Sequence, residues 1–154
     1  MWYAIVDADT LNLTLKPENG KKISRLGEMI KVACREQFPV NHPEYDYPGV
    51  DIMAFISKTQ ISEYKENDKG LRPVNQRNTV VMTNKDLDWD KPETWTGMID
   101  RSPTGSFSSA MLSVLYKRKL LKIGEEYVFE SIIGTQFIGK IIEEVILLGK
   151  KDGE

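Results

Sequence analysis

The sequence predicts an α+β fold in which short, mostly antiparallel strands curl around a central helix. Two observations support this prediction. Helical amphipathic patterns occur over residues 17–38 and from residue 104 onward, and the rest of the chain is short apolar, β-branched runs separated by turns. Strands grouped before, between and after the helices are typical of α+β proteins. The sequence shows no fixed-period repeat and no linker, so we expect a single domain over residues 1–154.

The N-terminal part predicts two strands and a helix. Residues 2–8 are apolar and β-branched, which predicts a buried strand, and leucine alternates with polar residues over 11–15, which predicts a strand with one solvated face. Residues 17–19 resemble a helix start, and the helix should end before Pro39. Its predicted apolar stripe contains Ile23, Leu26, Ile30, Ala33 and Cys34.

The remaining elements are predicted from the same periodicities. Predicted strands lie at 51–57, 79–83, 127–133, 136–142 and 144–149, and predicted loops at 39–50, 62–76 and 84–97. The third loop carries Trp89 and Trp95, which we interpret as anchors of the loop and not as a stacking platform for a ligand. The second helix has an apolar stripe formed by Phe107, Ala110, Met111, Val114 and Leu115.

Composition limits the classes of function. The chain has 154 residues and a formal net charge of −2, which gives no reason to expect binding to nucleic acid or an anionic membrane. We interpret the short basic run at 117–119 as a solvated helix end. The chain has one cysteine and no signal-peptide pattern or long apolar run, so we expect a cytoplasmic protein. Its single histidine, His42, cannot form a metal site alone, and we expect neither metal nor cofactor.

The stretch DRSPTGS at residues 100–106 immediately precedes the second predicted helix. Free N–H groups at a helix N-terminus attract anions such as a carboxylate, and Asp100 has the charge to bind an amine. These features together describe a site for a zwitterionic amino acid. A serine or threonine at this position is also the usual helix cap, and spacing alone favours the cap. Both interpretations remain open at this point.

DRSPTGS, together with VDAD at 6–9, WTGMIDRSP at 95–103 and ESIIGTQFIGK at 130–140, resembles the proline racemase family. This family contains proline racemases, hydroxyproline epimerases and trans-3-hydroxyproline dehydratases. The resemblance covers nearly the whole chain but corresponds only to the C-terminal half of such enzymes. It implies a single lobe of the diaminopimelate-epimerase-like fold, in which the substrate lies between two facing helix N-termini.

The resemblance also implies roles for the residues of the motif. Asp100 would hold the substrate ammonium, the N–H groups of Gly105 and Ser106 would bind its carboxylate, and Thr104 would be catalytic. Racemases place a cysteine at position 104, and a threonine hydroxyl is too weak an acid to cycle as a thiolate does. Threonine at this position resembles the dehydratases. Cys34 lies on the apolar stripe of the first helix, and we interpret it as a core residue.

Two departures from the family predict an incomplete enzyme. Phe107 replaces a family glycine, so its ring would either block the carboxylate pocket or turn into the core. The N-terminal lobe that normally supplies a catalytic cysteine has no counterpart. We therefore expect a lobe that acts on proline or hydroxyproline only with a complementary N-terminal lobe or a second copy of itself, and that is inactive alone. The alternative is a non-catalytic, truncated lobe that self-associates or binds a partner.

Overall fold

The strands form one open, mixed sheet in a computed structural model that describes residues 2–40, 46, 49–63, 70–83 and 86–145. The helices and strands are β1 (Tyr3–Asp7), α1 (Gly20–Gln37), β2 (Ile52–Ser57), β3 (Gln76–Thr83), β4 (Gly97–Ile99), α2 (Gly105–Lys117), β5 (Glu126–Glu130) and β6 (Gln136–Lys140). The strand order is β1-β2-β3-β5-β6, and β4 pairs with the other end of β3. Among these strands, three of the five pairings are antiparallel, and β1–β2 and β3–β5 are parallel.

Each face of the sheet packs against one helix. Ala54 of β2 and Val80 of β3 lie in a core cluster with α2, whereas Phe55 and Val81 lie in a second cluster with Ile23 of α1. Because side chains alternate along a strand, burial of both faces explains the apolar runs at 52–56 in β2 and 80–82 in β3. The predicted α+β class is confirmed, and the sheet stays open with α1 on one face and α2 on the other.

The buried face of α1 differs from the predicted stripe. Leu26 and Ile30 are only partly buried, whereas Lys31 and Glu28 are fully buried. The Lys31 Nζ donates hydrogen bonds to both carboxylate oxygens of Glu28, at 2.9 and 2.7 Å, and also contacts the Thr83 hydroxyl. Buried charges are tolerated when they are paired and hydrogen-bonded. The buried residues of α1 are Ile23, Ser24, Gly27, Glu28 and Lys31.

The prediction of a strand over residues 11–15 is wrong. The chain turns after β1, with the N–H groups of Leu11 and Leu13 both donating to the carbonyl of Ala8. Leu13 and Leu15 are nevertheless buried, and the Gln60 side chain bonds to their backbone: it donates to the Leu13 carbonyl and accepts from the Leu15 N–H. A side-chain amide therefore satisfies backbone groups that the prediction assigned to a neighbouring strand.

Some of the remaining predicted helix and strand boundaries agree with the structure, and others differ from it. Helix α1 ends at Gln37, before Pro39 as predicted, whereas β4 was not predicted. The predicted strand at 144–149 is absent at 144–145, and its remainder lies outside the described residues, as do parts of the loops at 39–50, 62–76 and 84–97. Within the described ranges, no helix is long and apolar enough to cross a membrane.

The loop before β4 is held by its tryptophans. The Trp95 indole N–H donates to the carbonyl of Asp88 at 2.8 Å, and the Trp89 indole N–H donates to Glu36 of α1 at 3.0 Å. The two rings contact each other edge to face, and the Arg25 guanidinium stacks over Trp95. This geometry agrees with the interpretation of both residues as loop anchors.

We expect Gly27→Ala to destabilise the protein by about 1–3 kcal/mol, because overpacking a filled core forces neighbours apart. A Cβ at Gly27 would lie 2.6 Å from the nearest side-chain carbon of Val81. The matched control is Gly20→Ala at the start of the same helix, where a Cβ would meet only Ile99 at 3.7 Å. The control substitution should raise the free energy of unfolding by about 0.5 kcal/mol. Urea unfolding followed by circular dichroism measures both values, and equal stabilities of the two variants would contradict the close α1–sheet contact.

Candidate functional site

The sheet positions Asp100 immediately after the last residue of β4. The backbone N–H of Asp100 donates to the carbonyl of Val80 at 3.0 Å, which extends the pairing of β4 with β3 by one residue. The chain then turns through Pro103, which is buried, and enters α2 at Gly105. The short connection therefore brings a carboxylate and a helix N-terminus together.

The Asp100 carboxylate is held by hydrogen bonds from its own loop. Thr104 Oγ1 donates to Oδ2 at 2.6 Å, and the N–H and hydroxyl of Ser102 donate to Oδ1 at 2.8 and 2.9 Å. Partial burial by itself raises the pKa of Asp100, but these hydrogen bonds outweigh it and hold the pKa below its usual value. The group is ionised at neutral pH, and Oδ2 retains capacity for another donor.

Thr104 is the residue before α2, but its hydroxyl does not cap the helix. Its backbone has φ 61° and ψ 115°, a conformation that is rare for a β-branched residue, and the side chain reaches back to Asp100. The first backbone hydrogen bond of the helix runs from the Ser108 N–H to the Thr104 carbonyl. The preceding N–H groups, of Gly105, Ser106 and Phe107, come before this first bond and have no partner within the helix.

The first turn of α2 is open to solvent. Gly105 and Ser106 are exposed, and a Cβ built on Gly105 would contact nothing within 4 Å. A cavity of about 410 Å³ lies beside Gly105, between α2 and β6. The Ser106 hydroxyl shares a 2.6 Å hydrogen bond with the Tyr3 hydroxyl of β1. An exposed helix N-terminus with unbonded N–H groups favours an anionic guest.

The Phe107 ring lies in the core and not in the first-turn opening. Its side chain is fully buried and packs edge-on against the Tyr3 ring, with centroids 5.6 Å apart. Of the two orientations that the sequence allows, the structure therefore has the one directed inward. This follows from helical spacing, because Phe107 is in phase with Met111 and Leu115 on the buried side of α2.

Other candidate groups do not join this site. Asp9 accepts hydrogen bonds from Ser57 and Gln60, and although burial raises its pKa, these bonds lower it overall, so Asp9 is a structural anchor. Burial raises the pKa of the Cys34 thiol on α1. His42 lies outside the described residues, within which no cluster of histidine, cysteine and acidic side chains is suited to a metal ion.

The structure joins the sequence-predicted residues Asp100, Thr104, Gly105 and Ser106 in one continuous turn. Sequence reasoning missed Ser102 and Tyr3. The Asp-x-Ser spacing is a signal for the first, since an aspartate commonly accepts a hydrogen bond from the residue two positions later. The Ser106 contact with Tyr3 joins residues 103 positions apart and leaves no local signal.

An ionised carboxylate beside an open helix N-terminus has the charge pattern that complements a small zwitterion. A family model described as "Proline racemase" matches residues 1–152, and the chain belongs to the proline racemase family. A proline racemase from Clostridioides difficile is 31% identical over 143 residues, which cover 93% of this chain and 36% of that protein. The predicted family is therefore confirmed.

Solved structures show the same fold. The crystal structure of a hydroxyproline epimerase from Agrobacterium vitis, with bound trans-4-hydroxy-L-proline, matches with a TM-score of 0.67 and 29% identity, over 96% of this chain and 36% of that one. A structure of a probable proline racemase from Agrobacterium radiobacter K84 matches with a TM-score of 0.62 and 27% identity, over 88% of this chain and 33% of that one. The chain thus spans about a third of these relatives, less than the half that the sequence predicted.

Thr104→Val should raise the pKa of Asp100 toward its usual value, because the isosteric side chain cannot donate a hydrogen bond. A carboxylate with a lowered pKa stabilises the fold above about pH 4 and loses that contribution as the pH falls through its folded-state pKa. The free energy of unfolding of the variant should be about 1.5 kcal/mol lower at neutral pH, and it should fall less steeply as the pH is lowered.

A ¹³C NMR titration of the carboxyl group tests this change directly. The matched control is Ser109→Ala on the same helix, whose hydroxyl donates to the Gly105 carbonyl and makes no hydrogen bond with Asp100. The control should leave the Asp100 titration unchanged. If Thr104→Val also left it unchanged, the Thr104–Asp100 bond would not be the interaction that holds the carboxylate ionised.

Proposed function

We propose that this chain is the substrate-holding part of a racemase, epimerase or dehydratase acting on proline or hydroxyproline. Asp100 binds the ring ammonium, the N–H groups of Gly105 and Ser106 bind the carboxylate, and Thr104 lies beside Cα or the departing hydroxyl. The observation that carries this proposal is the Thr104–Asp100 hydrogen bond, which keeps the carboxylate ionised while the first turn of α2 stays uncapped. The names of the family's relatives support this choice of substrate.

The chemistry of the described groups indicates that this chain holds the substrate but does not deprotonate it. Removing the Cα proton requires a base, and a threonine hydroxyl is far too weak. Asp100 is a poor base because its pKa is lowered, and the Cys34 thiol is held protonated by its raised pKa. The base must come from the opposite side of the substrate, from a complementary lobe or a second copy. A second copy would present another threonine and no base, which predicts an inactive homodimer.

Threonine at position 104 fits dehydration better than racemisation. Racemisation needs a proton acceptor on one face of Cα and a donor on the other, so both faces require a group that cycles. Dehydration of a 3-hydroxylated ring needs one base: the base takes the Cα proton, a Cα–C3 double bond forms as the C3–O bond breaks, and the hydroxyl leaves as water with the proton that the base returns. In that reaction Thr104, whose one hydroxyl proton is donated to Asp100, only needs to accept a hydrogen bond from the C3 hydroxyl.

We expect L-proline to perturb the backbone amide signals of Gly105 and Ser106 in ¹H–¹⁵N spectra of the chain. Asp100→Asn should weaken this binding about ten-fold, because it removes the charge that pairs with the ammonium. Asp90→Asn is the matched control, since it removes the same charge from an exposed loop. An undiminished affinity of Asp100→Asn would exclude the proposed role of Asp100.

The same sample tests the predicted lack of activity. Incubation in D₂O with L-proline, and separately with trans-3-hydroxy-L-proline, should leave the Cα proton and the ring hydroxyl intact over days. Loss of either would show that self-assembly supplies a competent base, which would contradict the assignment of the base to a different lobe.

Exposed apolar residues along one edge of the sheet favour a second candidate function, self-association. Strand β6 pairs only with β5, so its outer edge is unpaired among the described strands. Phe137 and Ile138 are 39% and 46% exposed, and beyond the strand Ile142 and Val145 are 70% and 68% exposed. An unpaired strand with exposed apolar side chains is a template for pairing with another chain.

If β6 mediates self-association, Phe137→Lys should weaken it at least ten-fold, because a buried lysine must be desolvated without a partner. Sedimentation equilibrium over a range of concentrations measures the dissociation constant. Leu11→Lys is the matched control, since Leu11 is 44% exposed and lies in the turn after β1. A wild-type chain that stays monomeric at high concentration would remove this candidate.

A further inference from the structure

A second cavity lies under the C-terminal half of α2, at the opposite end of the helix from Gly105. It has a volume of about 400 Å³ and lies between α2 and the carboxyl ends of the parallel strands β1 and β2. The helix has 13 residues, so at about 1.5 Å per residue its ends are about 20 Å apart. We propose that this cavity binds a small carboxylic acid with an apolar chain.

The walls of the cavity are aliphatic and reach the core. Ile5 and Ile56 contribute from the sheet, and Met111 and Leu115, which belong to the buried cluster, contribute from α2. Leu120 stands at the rim and is 62% exposed. A cavity of this size falls in the range of ligand sites, and an apolar chain placed in it would remove exposed aliphatic surface from water.

Three charged residues line the same cavity, and their net positive charge favours binding of an anion. Lys58 and Arg118 are cationic, and neither forms an ion pair with any described residue. Asp7 is the one carboxylate, and one of its oxygens already accepts the Asp9 N–H at 2.9 Å. The negative end of the α2 dipole opposes an anion here, but two full positive charges outweigh one carboxylate and a partial charge.

The charges and the apolar walls select the ligand class together. A purely apolar molecule would make no ion pair with Lys58 or Arg118. An inorganic anion would leave the aliphatic walls of the cavity exposed to water. A carboxylate attached to a short alkyl or aryl chain uses both features, with its charged group beside Lys58 and Arg118 at the rim. The inference does not depend on the proposed imino-acid site, since the two sites share no residue.

Hexanoate is a suitable probe, with hexan-1-ol and hexylamine as neutral and cationic controls of equal length. Methyl NMR of the full chain should show saturable shifts at Ile56, Met111 and Leu115, and hexanoate should bind at least ten-fold more tightly than either control. The double variant Lys58→Gln/Arg118→Gln should lose this preference while binding hexan-1-ol as before. The double variant Lys21→Gln/Lys22→Gln changes the net charge equally on α1 and should bind hexanoate like the wild type.

Three results would overturn the proposal: equal affinities for hexanoate and hexan-1-ol, an unchanged preference in the Lys58/Arg118 variant, or, in ¹H–¹⁵N spectra recorded alongside, hexanoate-induced amide shifts at Gly105 and Ser106 with no methyl shifts in the cavity. Circular dichroism of each variant excludes misfolding as the cause of a lost preference. Failure of L-proline to bind at the α2 N-terminus, with hexanoate binding intact, would refute the proposed function and leave this inference standing.

Discussion

The close approach of α1 to β4 determines where Asp100 lies. The Ser24 hydroxyl of α1 donates to the Gly97 carbonyl at 2.6 Å and accepts the Gly97 N–H at 2.7 Å, so one side chain fixes both backbone groups of this residue. A side chain at Gly97 would meet the Met82 carbonyl at 2.6 Å, and only glycine fits between helix and sheet there. Gly97 begins the three-residue strand that ends just before Asp100. The contact of α1 with Gly97 therefore also fixes the position of Asp100 in the candidate site.

The electrostatics of the site suit a molecule with both charges. Asp100 is ionised and close to the N-terminus of α2, whose unbonded N–H groups attract negative charge. A simple anion would meet repulsion from Asp100, and a simple cation would meet repulsion from the helix end. A zwitterion with its ammonium near the carboxylate and its own carboxylate near Gly105 and Ser106 is attracted at both points. This is the charge distribution of an imino acid at neutral pH.

The site has one side only, and the sheet that carries it has open edges. The chain spans about a third of the family members it matches, and β1 and β6 each pair with one neighbour among the described strands. The proposed function needs a base that the described residues do not supply, and the open edges leave strand backbone and apolar side chains available to another chain. Under the proposed function, a partner that covered these edges would also be placed to complete the site.

The sequence by itself determined the family, the α+β class, both helices and the turn that joins Asp100 to α2, because these depend on local periodicity and on a motif of adjacent residues. Tertiary structure decided which of the possible partners each polar group has and which of these groups are buried. Glu28 and Lys31 are buried where the sequence predicted apolar residues, because their opposite charges pair and Lys31 also contacts Thr83. Leu13 and Leu15 are not in a strand, because the Gln60 side chain makes the hydrogen bonds to their backbone. The Thr104 hydroxyl bonds to Asp100 instead of capping α2, since a backbone with positive φ directs it there. Two of these pairs are near neighbours in sequence, but the packing that buries one of them and the backbone conformation that forms the other are, like the contact of Gln60 with Leu13, not encoded in one-dimensional periodicity.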